Sequence, residues 1–202
     1  RLSADGRLQN GPTVRTDDRG AYHFGTLVPG DYVVVVTQLH AAIPAATSDS
    51  LASTTNRPLS AKLANSGARN FEGGIAVGRS LIGTVPLPNT NALPPVPQGD
   101  ALHIYQTTFA PSATSLAMAT PVTLGAGEAR TSVDVSMTPV RAVAVSGTLA
   151  DDLGPLPNFG VRLFTHEGDT RSVPFDLGWT STDAAGRFVF PLVPPGTYRV
   201  VA

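Results

Sequence analysis

A gapless internal repeat constrains this chain more than any other feature of its sequence. Residues 16–35, TDDRGAYHFGTLVPGDYVVV, align with residues 182–201, TDAAGRFVFPLVPPGTYRVV, at an offset of 166. Nine of the 20 positions are identical, among them Asp17/Asp183, Gly20/Gly186, Phe24/Phe190, Pro29/Pro195, Gly30/Gly196 and Tyr32/Tyr198. A fixed-offset match of this kind marks a supersecondary unit used twice. Asp and Gly three residues apart suit the ends of a type I turn, where the Asp carboxylate bonds nearby amides. Aromatics two apart, Tyr22 with Phe24 and Phe188 with Phe190, fall on one face of an extended strand. Pro-Gly then marks a second turn, and Tyr32 and Val34, like Tyr198 and Val200, alternate with their neighbours. The unit therefore reads strand, turn, strand, turn, strand, as in half of a small β-sandwich.

The two copies carry different flanks. Upstream of the second copy, Val143, Val145 and Leu149 predict one strand, Asp151-Asp152-Leu153-Gly154-Pro155 a turn, and Val161–Phe164 another strand. At the same offset the first copy has no room for these, so its domain is expected to lack its opening strands. Downstream of the first copy, Leu102–Tyr105, Pro121–Leu124 and the alternating Val133, Val135 and Met137 are expected strands. The second domain is expected to lack its closing strands in turn. This places one domain at 1–139, with a long insertion at 38–100, and a second at 140–202, hinged at Pro139–Arg141. Within the insertion, Ile75–Val77 and Leu81–Val85 predict a minor hairpin across Gly78-Arg79. Residues 86–97 are Pro-rich and expected to be extended and polyproline-like. Residues 41–63 have room for a short helical turn or two. The chain begins without Met and closes on what reads as mid-strand, Tyr198–Ala202, so it is expected to be a segment of a longer protein.

Composition narrows the function classes. The 14 basic and 15 acidic residues nearly cancel and form no basic cluster, which argues against a nucleic-acid partner. Cysteine is absent, so disulfide scaffolds, thiolate metal sites and Cys nucleophiles are excluded. No run approaches the ~18 apolar residues of a membrane-spanning helix. With 42% hydrophobic residues the chain is too apolar for wholesale disorder. The 20 Gly and 18 Pro are numerous because strands and turns recur, not because order is missing.

Val145-Ser146-Gly147-Thr148, then Gly160-Val161-Arg162-Leu163, then Thr182-Asp183-x-x-Gly186-x-Phe188-x-Phe190, then Pro195-Gly196-x-Tyr198-x-Val200 resembles the carboxypeptidase regulatory-like domain. The resemblance covers residues 142–202 and 13–36, and extends to the strands within 101–138. Fibronectin type III is the nearest rival, but it usually has two residues between Gly and Tyr where this chain has one. The resemblance implies an all-β fold of tandem transthyretin-like (prealbumin-like) Greek-key β-sandwich domains, both incomplete here. It also implies a secreted, periplasmic or outer-membrane-associated location, as in repeat-bearing bacterial envelope proteins. In metallocarboxypeptidases this domain accompanies a separate catalytic domain that the chain does not contain, so no peptidase activity is implied.

Site chemistry is sparse. The four histidines, His23, His40, His103 and His166, show none of the close spacings of a catalytic zinc site. Asp17-Asp18 and Asp151-Asp152 supply too few oxygens for calcium, and the shared Asp-x-x-Gly reads as a turn. No Gly-x-Ser-x-Gly or phosphate loop occurs. The expectation is no enzyme, no cofactor and no metal. Aromatic stacking is the remaining ligand chemistry: Trp179, the only Trp, and Phe175, with Phe159, are the candidate platform, Trp179 sharing a strand face with Ser181. The function expected is a non-catalytic spacer or interaction module, with glycans or other envelope proteins as partners. The alternatives are a carbohydrate-binding module, or an accessory domain of an enzyme or outer-membrane receptor.

Overall fold

The computed structural model describes residues 1–3, 8–9, 11–45, 75–84, 93–165 and 176–202. These residues are predominantly β. The strands β1 (Gly30–Tyr32), β2 (Val35–Val36), β3 (His40–Pro44), β4 (Ile75–Val77), β5 (Ser80–Thr84), β6 (Val96–Gln98) and β7 (Ala101–Ile104) come first. Next, β8 (Thr108–Phe109) and β9 (Val122–Leu124) flank a 3-10 turn at Leu116–Met118. Last come β10 (Val140–Arg141), β11 (Val143–Thr148), β12 (Ala150–Asp151), β13 (Gly154–Pro155), β14 (Gly160–Thr165), β15 (Asp176–Ser181), β16 (Arg187–Val193) and β17 (Tyr198–Val201).

The repeat is structural as well as sequential. In the first copy the Asp17 carboxylate accepts the amides of Arg19 (2.9 Å) and Ala21 (2.8 Å), and the Gly20 amide donates to the Asp17 carbonyl. In the second, Asp183 accepts the amides of Ala185 (2.8 Å) and Arg187 (2.9 Å), and Gly186 donates to Asp183. Both glycines have left-handed φ, 79° and 71°, where a Cβ is unfavourable. Tyr22 meets Phe24, and Phe188 meets Phe190, edge to face at 5.7 and 5.9 Å. The Tyr32 hydroxyl donates to the Val28 carbonyl, and that of Tyr198 to the Pro194 carbonyl, each four residues back.

The strand expectations divide. The hairpin of β4 and β5 across Gly78-Arg79 forms, with Val77 opposite Ser80. Residues 133–137 alternate between half-buried and exposed, but they join no ladder. Side-chain and isolated backbone bonds anchor them instead: the Tyr22 hydroxyl donates to the Val133 carbonyl, and the Ser136 amide to the Pro111 carbonyl. Alternation reports which side faces inward, not whether a partner strand is present. Residues 21–27 likewise join no ladder, and Thr26 makes a bend with φ 53°. At the end of the Pro-rich stretch, Val96–Gln98 is a strand rather than a polyproline segment. β6 lies at the edge of the order β10-β7-β6, where the missing Pro97 amide is tolerated. Residues 46–74 and 85–92, including most of the 41–63 turn expectation, lie outside the described residues.

Two compact units emerge. One draws on Arg1–Thr37 and Gln106–Thr138, the other on Gln38–Tyr105, Pro139–His166 and Phe175–Ala202. The chain passes from the first to the second between Thr138 and Pro139. However, the 38–105 segment groups with the second repeat copy, not with the first as expected. Strand pairing explains this, because β3 pairs in parallel with β15: His40 opposite Gly178, Ala41 opposite Trp179, Ala42 opposite Thr180. In the first unit, β1 pairs with β9 and β2 with β8.

The second unit holds a six-stranded sheet, β17-β14-β15-β3-β5-β4, together with the β11-β16 pair and the β10-β7-β6 sheet. Val161 and Leu163 of β14 pack on Phe190 and Val193 of β16 to form one core cluster. Ala42, Ile82, Ile104 and Leu192 form a second, to which the 38–105 segment contributes three of the four residues. Gly178 suits this packing: a Cβ there would lie 3.2 Å from both the His40 carbonyl oxygen and the Phe190 ring.

Candidate functional site

The expected stacking platform is not presented to solvent. Trp179 sits on β15 beside Ser181 as its spacing required, but it is only 7% exposed. An indole buried to that degree has no open face for a sugar ring. Phe175 lies outside the described residues. The structure therefore corrects the stacking role for Trp179 and leaves it as a packing residue. Of the histidines, His40 is buried on β3, His103 is on β7, His23 is exposed, and His166 lies outside the described residues. Among the described residues no group of three metal-ligating side chains occurs.

A different surface is built at one end of the second unit, where three turns converge on Thr182. The Thr182 hydroxyl donates to the Leu156 carbonyl (2.6 Å) and accepts the Phe159 amide (2.9 Å). Its amide donates to the Phe159 carbonyl, and its carbonyl accepts the Asn158 amide. Thr182 itself is fully buried, and its two side-chain bonds are partly buried. The Asp183–Gly186 turn is tied in through the Leu149 amide, which donates to the Gly186 carbonyl at 2.8 Å. The Leu156 amide bonds the Leu149 carbonyl at 3.0 Å, closing the base of the β12-β13 hairpin.

This scaffold holds apolar side chains outward. Leu153, at the hairpin tip, is 97% exposed, and its amide is fixed by the Asp151 carboxylate at 2.8 Å. Phe159 is 48% exposed on the neighbouring loop, next to Asn158, whose φ is 58°. Among the described residues, these turns carry three carboxylates, Asp151, Asp152 and Asp183, and one guanidinium, Arg187, follows the last of them. Arg187 pairs with Asp183 at 3.3 Å. Despite slight desolvation, the Arg187 and Ala185 amides and the Arg187 charge hold the Asp183 carboxyl below its usual range. The end thus combines a projecting aliphatic tip, a half-exposed ring and a net negative rim on backbone that its own hydrogen bonds fix.

Phe159 was among the aromatic candidates in the sequence, but Leu153 was not. The signal for Leu153 was present: an aliphatic residue in Asp-Asp-Leu-Gly-Pro stands where a turn normally carries a polar side chain. In the first copy Thr16 corresponds to Thr182, yet it is exposed. At the repeat offset the counterparts of Leu156 and Phe159 would precede residue 1. No family model matches the chain, and neither a curated protein nor a solved structure matches it.

Proposed function

We propose that this chain is a non-catalytic β-sandwich repeat of the carboxypeptidase regulatory-like type. In this reading it serves as a spacer and contact module of a secreted or cell-envelope protein. The observation that carries the reading is the turn end around Thr182, which displays Leu153 and Phe159 on a hydrogen-bonded frame. A contact surface fixed before binding loses little conformational entropy on association. Full burial of a leucine side chain contributes about 1.5–3 kcal/mol. The acidic rim favours a protein partner whose apolar socket is lined by Arg or Lys, and disfavours anionic lipid. The repeated turns support a geometric rather than a chemical role.

The test is a display selection with a random peptide library on the purified chain. Winners are expected to carry an apolar residue flanked by Arg or Lys. Leu153→Ser is expected to weaken them by roughly 10- to 100-fold, matching the loss of one buried leucine. Winners indifferent to both Leu153→Ser and Phe159→Ser would overturn the contact site. Turnover of a peptide, ester or glycoside substrate that a point substitution abolishes would overturn the non-catalytic reading.

A further inference from the structure

Among the described residues His40 is the one histidine that is deeply buried, and it occupies the seam of the second unit. It opens β3, the strand whose parallel pairing with β15 attaches β3, β5 and β4 to the strands of the second repeat copy. The residue is 9% exposed. A ring N–H donates to the backbone carbonyl of Tyr105, just beyond β7, so the imidazole ties β3 to the segment that carries Leu102 and Ile104 into the same core. The other ring nitrogen, Nε2, is buried and has no hydrogen-bond partner. The small cavity beside the ring is lined by Ala42, Ile82, Gly178, Phe190 and Leu192, with no second titratable group among its described lining residues.

We propose that His40 is a proton-operated latch: neutral, it fastens β3 into the second unit, and protonated, it loosens the β3-β5-β4 strands from β15. Protonation puts a second N–H on the ring at Nε2, where the structure offers no acceptor, and puts a charge among apolar side chains. A buried unsatisfied donor costs about 1–3 kcal/mol, and more when charged. Among the described residues that line the cavity there is no carboxylate to compensate the charge. Asp176 opens β15 two residues before Gly178, β5 has no titratable residue, β7 brings His103 with Tyr105 just beyond it, and β16 begins with exposed Arg187 paired to Asp183. Burial lowers the His40 pKa below 6.5, and the Tyr105 carbonyl offsets part of that effect. The sign follows from linkage. The open form binds the proton more readily, so the latch holds fully above pH 6.5 and weakens as pH falls from 6.5 toward the lowered value.

Hydrogen exchange by mass spectrometry on the full chain, corrected for intrinsic rates, tests this between about pH 7.5 and pH 5. Protection of β3 and β5 is expected to fall with acid, at most about tenfold per pH unit, the limit for one proton. Protection of β14, β11 and β16 is expected to hold. His40→Asn, which keeps a donor for Tyr105, and His40→Gln are expected to flatten the response, while His103→Gln leaves it intact. An NMR titration of the His40 ring in the unsubstituted chain is expected to track the same transition. An acid response that persists in both His40 variants, disappears in His103→Gln, or spreads evenly to β14 and β16 would overturn the latch.

Discussion

The two copies of the Asp-x-x-Gly turn provide an internally controlled experiment on the turn end of the second unit. Gly20 and Gly186 share left-handed φ, 79° and 71°. Alanine at either position costs about 1–2 kcal/mol from the backbone conformation alone. Around Gly20 an added Cβ meets nothing within 4 Å. At Gly186 it would sit 2.4 Å from the Leu149 carbonyl oxygen, 3.1 Å from the Pro155 Cβ and 3.2 Å from the Leu156 nitrogen. The Leu149 carbonyl cannot retreat freely, because it accepts the Leu156 amide while the Leu149 amide donates to Gly186. Loosening those two bonds adds about 0.5–1.5 kcal/mol each. Gly186→Ala is therefore expected to cost about 2–5 kcal/mol in total and Gly20→Ala about 1–2 kcal/mol. Trp179, the only Trp, lies in the second unit and reports its unfolding in urea. With a slope of about 1–3 kcal/mol per molar, Gly186→Ala is expected to lower the Trp-detected midpoint by roughly 1–2 M. Gly20→Ala is expected to shift neither that midpoint nor the far-UV circular dichroism transition as far. Equal shifts for the two variants would refute the argument, since they would mean that the hairpin does not rest on the 183–186 turn.

Other substitutions probe the same frame. Thr182→Val keeps the shape but removes a donor to Leu156 and the acceptor for Phe159, at an expected cost of about 2–4 kcal/mol in the Trp-detected unfolding free energy. Thr16→Val, at the exposed equivalent position, is expected to stay within about 0.5 kcal/mol. Phe190→Ala empties the centre of one core cluster and is expected to cost about 3–5 kcal/mol by the same measurement. Leu153→Ser, at a fully solvated tip, is expected to leave the urea midpoint unchanged while weakening peptide binding. A large stability loss there would show that Leu153 is a packing residue rather than a contact.

What could be read from the sequence was local. Asp17 and Asp183 fold back on amides two and four residues ahead, and Tyr32 and Tyr198 bond carbonyls four residues back, so short-range chemistry defines them. The β4-β5 hairpin was likewise legible from its two turn residues. Non-local pairing was not. Nothing in HAAIP names Gly178–Thr180 as its parallel partner, because a strand's own residues record which side is apolar but not which edge it joins. The Val133 alternation shows the same limit from the other side, an inward-outward rhythm without a ladder. Trp179 was placed on the correct strand and beside Ser181, but its burial depends on what packs over that face. Leu153 was assigned correctly to a turn, and its exposure follows from the hairpin projecting beyond the hydrogen-bonded frame.

The proposed contact surface is the turn end around Thr182. Amide chemical-shift mapping of the isotopically labelled chain, titrated with the strongest peptide from the display selection, tests it most directly. Perturbations are expected to concentrate at residues 151–159 and 183–186, with β5 and the first unit unmoved. Perturbations centred elsewhere, such as the β15 amides around Trp179, with the 151–159 signals unchanged, would contradict it.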